Sequence, residues 1–208
     1  ENIYLIPVAI NYDRIPEESQ LLAEPDSAYR RQAILRKLYS VIVATVVFAF
    51  RVVWPRKGQL GDACACFGRP FSLREWQSGD GAELFAHNDP RTWVSALGDK
   101  IFRQVSRIVP VMPSHALAAL LLSNKRSTWP RKASCEEGMR LMNSVDNEGG
   151  VTCFPDTAGE HAFAKTIDEF SRRKLLTIDA NGQIARNADK LPTLRYLANS
   201  VSHLLEEV

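Results

Sequence analysis

The feature that most constrains this chain is the apolar run Ile3–Ile10, IYLIPVAI, which ends at once in the polar cluster Asn11-Tyr12-Asp13-Arg14. A short, nearly continuous apolar run reads as a strand buried on both faces, as in a parallel sheet. Pro7 bars a helix interior and lacks the N–H that a central ladder position needs, so it marks a strand edge or a bulge. In open α/β sheets, ligands bind outside the carboxyl ends of strands, which is where Tyr12-Asp13-Arg14 falls. An arginine placed there can grip a phosphate through two parallel N–H bonds. The competing reading is that Asp13 and Arg14 pair with each other or with the following helix, and the residues alone leave both open. The chain is strand-like within three residues of Glu1 rather than opening on a polar terminus, which reads as a piece of something longer.

The 208 residues allow one or two domains, and 45% hydrophobic against 24% charged residues is ordinary for a globular core. A net charge of +2 singles out no partner by bulk electrostatics. No signal peptide is visible, so Cys64, Cys66, Cys135 and Cys153 are expected as reduced, structural thiols. Cys64-Ala65-Cys66 lies on an expected strand, with both thiols toward one face, and no further ligand close in sequence completes a metal site. The chain carries no G-x-S-x-G, Walker A, G-x-G-x-x-G or H-E-x-x-H motif. Nor does any histidine begin a His-x4-Asp pair: the residues five positions after His87, His115, His161 and His203 are Thr92, Leu120, Thr166 and Val208. His115 and His203 fall on expected helices beside apolar residues and read as structural.

Further along, Pro16-Glu17-Glu18 opens a short helix, and a long helix is expected over 28–53. Its apolar part, Leu38–Phe50, is shorter than the roughly 20 residues that span a bilayer. A buried element with basic ends and an interfacial element lying on anionic lipid both fit it. Gly61–Gly68 is a second strand, and Ser72 caps a brief helix with Glu75 at the capping-box position. Helical spacing recurs over 91–109, 114–122, 135–145 and 157–176, and a last helix starts at Pro192. Asn181-Gly182 between apolar runs predicts a two-residue hairpin. Lys125, Arg126, Arg131 and Lys132 sit in a polar break. The expected fold class is therefore α/β over residues 1–80, then a mostly α-helical, winged-helix-like domain over 90–208, with one β-hairpin near 176–186.

IPVAINYDRIPEES strongly resembles the fourth conserved block of the glycerol-3-phosphate and dihydroxyacetone-phosphate acyltransferases, a strand of the form V/I-P-V-x-I-x-Y-D-R-I before a glutamate-rich turn. GDACACFGRPFSLREW is similar to that family's later strand and turn. IVPVMPSHALAALLLS and LRYLANSVSHLL are similar to its C-terminal helices, so the likeness touches both halves of the chain in order. The resemblance implies the C-terminal part of an acyltransferase α/β domain. The implied chemistry moves an acyl group from a thioester, acyl-CoA or acyl-ACP, to glycerol 3-phosphate or dihydroxyacetone phosphate. This would be the first step of phospholipid and glycerolipid synthesis.

In that family, His-x4-Asp supplies the general base and its orienting carboxylate. The pair is missing here, so the resemblance places the catalytic residues outside this chain. Only the fourth block carries over. Ile6, Pro7 and Val8 correspond to its apolar part, at the substrate or acyl wall, and Asn11, Tyr12, Asp13 and Arg14 to its polar end. The implied partners are the phosphorylated three-carbon acceptor, the acyl thioester as co-substrate with no other cofactor, and the cytoplasmic face of a membrane. The apolar SVIVATVVFAF departs from the family, whose members often have a polar segment there. Against this stands a second reading, a non-catalytic winged-helix-like module for nucleic acid or a protein partner. Its basic residues lie in a loop with few aromatics between them, so nucleic acid is not the expected partner.

Overall fold

The computed structural model describes residues 2–14, 61–86, 90–123, 128–155 and 159–205. The expected helices at Pro16 and over 28–53 lie outside them, as do His87, Lys125 and Arg126. The chain forms two units, Glu1–Asp13 with Ala63–Val208, and Arg14–Asp62. The architecture below is that of the first.

Its elements run β1 (Tyr4–Leu5), β2 (Val8–Tyr12), β3 (Ala63–Phe67), β4 (Phe71–Ser72), α1 (Leu73–Ser78), α2 (Ala82–Ala86), α3 (Pro90–Arg107), β5 (Pro110–Val111) and α4 (Pro113–Ser123). Then come β6 (Thr128–Pro130), α5 (Arg131–Asn147), β7 (Val151–Thr152), α6 (Glu160–Arg172), β8 (Leu176–Ile178), β9 (Gln183–Arg186), α7 (Leu191–Asn199) and α8 (Ser202–Leu205). The class is mixed α and β, as expected, and its sheets have two or three strands among the described residues.

The opening run departs from the strand expected of it. It is two antiparallel segments, not one parallel strand: β1 pairs with β4 and β2 with β3. Pro7 causes the break. It cannot donate to a ladder, and its carbonyl instead accepts from Gly68 N–H at 2.8 Å. Gly68 packs closely there, and an added Cβ would lie 3.2 Å from the Pro7 ring, which would have to give by a few tenths of an ångström. Nor is β2 buried on both faces. Ala9 and Asn11 are buried, while Val8, Ile10 and Tyr12 are 41%, 53% and 44% exposed. The ladder sets Phe67 opposite Val8, and Phe67 is exposed as well. A run that is apolar on both faces looks the same in sequence whether or not its second face is covered.

The core sits in the helical half. α4, PSHALAALLLS, is apolar on nearly every side, so it can settle only where neighbours surround it. α5, α6 and α7 pack around it, with Leu117, Leu121, Phe163, Ile167, Phe170 and Leu194 at most 1% exposed. Each such side chain contributes about 1.5–3 kcal/mol relative to exposure.

One strand had no clear signal in the sequence. Thr128-Trp129-Pro130, within the basic polar break, is β6. It pairs with β9, setting buried Trp129 opposite buried Ile184 and making a three-stranded antiparallel sheet of order β6-β9-β8. The β8–β9 hairpin falls where expected, but its tip is longer than two residues. Asp179 Oδ1 accepts from Asn181 N–H and Gln183 N–H, and Gly182 takes φ +73°. The last expected helix is divided into α7 and α8 at Ser200-Val201.

Candidate functional site

The polar end of β2 is held to the helical body at three successive residues. Asn11 is 8% exposed, and its Nδ2 donates to Pro110 O at 3.0 Å, at the start of β5. Its Oδ1 accepts from Tyr12 N–H at 3.0 Å. His115 Nε2 lies 3.0 Å from Tyr12 O, and Arg173 Nη1 donates to Asp13 O at 3.1 Å. A buried amide, an imidazole and a guanidinium therefore fix one strand end.

His115 has no exposed surface. Its Nδ1 accepts from Met112 N–H at 3.1 Å, which leaves the proton of a neutral ring on Nε2, where it donates to Tyr12 O. Burial pushes its pKa down to about 4, against the opposing pull of the Tyr12 carbonyl. This is a structural histidine, joining the first turn of α4 to β2. His203 is also engaged with backbone, its Nε2 3.0 Å from Ser106 O.

The residues singled out from the sequence fall into two groups. Pro7 and Asn11 are buried on the side of the helical body. Ile6, Val8 and Tyr12 are exposed, together with Ile10 and Phe67. The alternation of side chains along a strand makes this division. Asp13 and Arg14, at the end of β2, are both half-buried. Sequence reasoning did not find Arg173, whose place beside Asp13 depends on a contact across 160 residues.

The thiols of β3 follow their strand register. Cys64 stands opposite Asn11 and Cys66 opposite Ala9. Burial, with the neighbouring Cys153 thiol, pushes Cys64 up to about 11, and burial also raises Cys66. These are protonated thiols at neutral pH, and all four cysteines are free. Among the described residues, no group of three or more His, Cys, Asp or Glu is placed to hold a metal ion.

Two of the four basic residues of the polar break are described. Arg131 binds Asp168 through two contacts, at 2.8 and 2.9 Å, and Lys132 lies 3.9 Å from Glu136. Both charges face carboxylates of the protein itself. Among the described residues, no helix is long and apolar enough to cross a membrane.

Residues 49–207 match the model of the family described as glycerol-3-phosphate acyltransferase C-terminal region. A curated relative, the glycerol-3-phosphate acyltransferase of Pseudomonas syringae pv. syringae (strain B728a), is 25% identical over 218 aligned residues. The alignment covers 97% of this chain but 24% of the relative, so the chain spans about a quarter of that protein's length.

Proposed function

The chain belongs to the glycerol-3-phosphate acyltransferase C-terminal region family, and on that premise we propose that it works as part of an O-acyltransferase. The reaction moves an acyl group from acyl-CoA or acyl-ACP to the hydroxyl of glycerol 3-phosphate or dihydroxyacetone phosphate. The family match over 49–207 is the observation that carries this reading. A catalytic His and Asp come from sequence outside the 208 residues, since no histidine here begins a His-x4-Asp pair.

Within that enzyme, β2 is one wall of the acyltransferase site. Asn11 serves as the joint that holds the wall, because its amide is engaged with Pro110 and Tyr12. Ile6, Val8 and Tyr12 present the wall's open face. Arg14 is assigned to the acceptor phosphate, for which a guanidinium is well shaped. The test begins with the codons preceding Glu1. A His-x4-Asp block within a few hundred residues supports the reading, and its absence removes it. In the enzyme so encoded, Arg14→Ala should raise the KM for the phosphorylated acceptor; an unchanged KM ends Arg14's role.

The helical half, from about residue 90, is proposed as a winged-helix-like module. The antiparallel order β6-β9-β8, with α4 before β6 and α5 and α6 before the hairpin, supports this reading. Its part in the enzyme is to hold the end of β2, which His115 and Arg173 both contact. Contact with the cytoplasmic face of a membrane is assigned to 38–53, where basic residues flank an apolar run. Flotation with liposomes tests it: binding should require anionic lipid, and absence of binding with any lipid removes the assignment.

A further inference from the structure

We propose that the cleft between α1–α2 and α3 binds a phosphate-bearing small molecule, gripped by Arg103 and Arg107. The cleft has a volume of about 390 Å³, within the range of small-molecule sites. Buried Trp76, from α1, forms part of its wall with Leu84 and Ala96, so apolar surface shields one side from water.

The charge comes from α3. Lys100, Arg103 and Arg107 recur at i, i+3 and i+7, which sets them along one stripe of the helix facing the cleft. Lys100 is already engaged. Its Nζ is 2.8 Å from Asp80 Oδ2, the carboxylate that lines the cleft, and 5.5 Å from the centre of the Phe71 ring. That pair cancels within itself. Arg103 and Arg107 form no ion pair among the described residues, so the cleft keeps a local charge of two guanidinium groups. Guanidinium groups four residues apart on one helix can each offer a planar fork of N–H donors to the oxygens of a phosphate dianion. Gln104, which also lines the cleft, has a buried Oε1 with no hydrogen-bond donor among the described residues.

Free phosphate, a phosphorylated polyol and the 3′-phosphate of coenzyme A all share this chemistry. The test reads binding to the 208-residue chain and needs no acyl transfer, so it stands or falls separately from the acyltransferase reading. The protein is titrated calorimetrically at low ionic strength, first with inorganic phosphate, then with glycerol 3-phosphate, coenzyme A and dephospho-coenzyme A. Inorganic phosphate should bind, and Arg103→Gln/Arg107→Gln should weaken it at least tenfold with an unchanged unfolding midpoint. Arg140→Gln, on α5, should leave the affinity as it was. Should the double variant unfold, each single substitution at these exposed positions carries the test, with about a threefold loss. Tighter binding of glycerol 3-phosphate than of inorganic phosphate identifies a phosphorylated polyol. Stronger binding of coenzyme A than of its dephospho form identifies the donor's phosphate. No binding of inorganic phosphate, or equal affinity in the double variant, overturns the site.

Discussion

His115 gives the fold a pH dependence of predictable sign. Its pKa is about 4 in the folded chain, below the ordinary 6.5, because burial disfavours the charged ring. Between those values the unfolded chain binds the proton that the folded chain refuses, so acid favours unfolding. The stabilisation is complete above about pH 6.5, falls as pH drops toward 4, and changes no further below that. The loss over this window is about 3 kcal/mol at full burial. Urea unfolding at pH 7.5 and 4.5 measures it. His115→Gln keeps a donor for the Tyr12 carbonyl but cannot titrate, so it should remove most of that difference between the two pH values. Equal differences in both proteins would assign the effect to another group. Protonation removes the Nδ1 acceptor of Met112 N–H and keeps the Nε2 bond to Tyr12 O, so the disturbance falls on the first turn of α4 rather than on the end of β2.

At the level of elements, α5 and α6 meet closely at a glycine. Gly138 faces the Phe163 ring so tightly that an added Cβ would meet Cε1 and lie 2.7 Å from Cδ1. Phe163 has no exposed surface. Gly138→Ala gains about 1 kcal/mol of helix propensity. It loses more to overpacking, about 1–3 kcal/mol. The net should be a lower Tm, by a few degrees, and Gly138→Ala/Phe163→Leu should recover part of it. A Tm raised by Gly138→Ala alone would show that the helices separate cheaply. The apolar face of α6 was legible from Phe163, Ile167 and Phe170, because their spacing follows the helical period. The glycine that lets α5 approach it was not, because nothing local marks a close contact. Likewise α4 was legible from an unbroken apolar run. β6 was not, because Trp129 stands between basic residues and a proline, and only pairing with β9 makes those three residues a strand. At the candidate site, Tyr12-Asp13-Arg14 stood out as a polar cluster ending an apolar run, while Arg173 depended on the tertiary fold.

For the whole molecule, the two faces of β2 have different consequences. The inward face, Ala9 and Asn11, is buried against the helical half. The outward face, Val8, Ile10 and Tyr12 with Phe67, contributes little burial within this chain. Such a contiguous apolar surface commonly marks a contact with something else. Val8→Thr/Ile10→Thr keeps β-branched side chains, and so strand propensity, while making that face polar. In the 208-residue chain its effect on urea-unfolding free energy should be small, within about 1 kcal/mol, as expected for surface positions. Ile167→Thr, with no exposed surface, should cost several times more, since it loses apolar burial and encloses a hydroxyl. In the longer acyltransferase, where β2 is proposed as a wall of the site, the double substitution should lower turnover several-fold with the helical half still folded. A loss of stability in the 208-residue chain as large as that of Ile167→Thr would mean that the outward face is already covered. Full activity in the longer enzyme, with stability also unchanged, would remove β2 from the site and leave Asn11, His115 and Arg173 as joints of the fold alone.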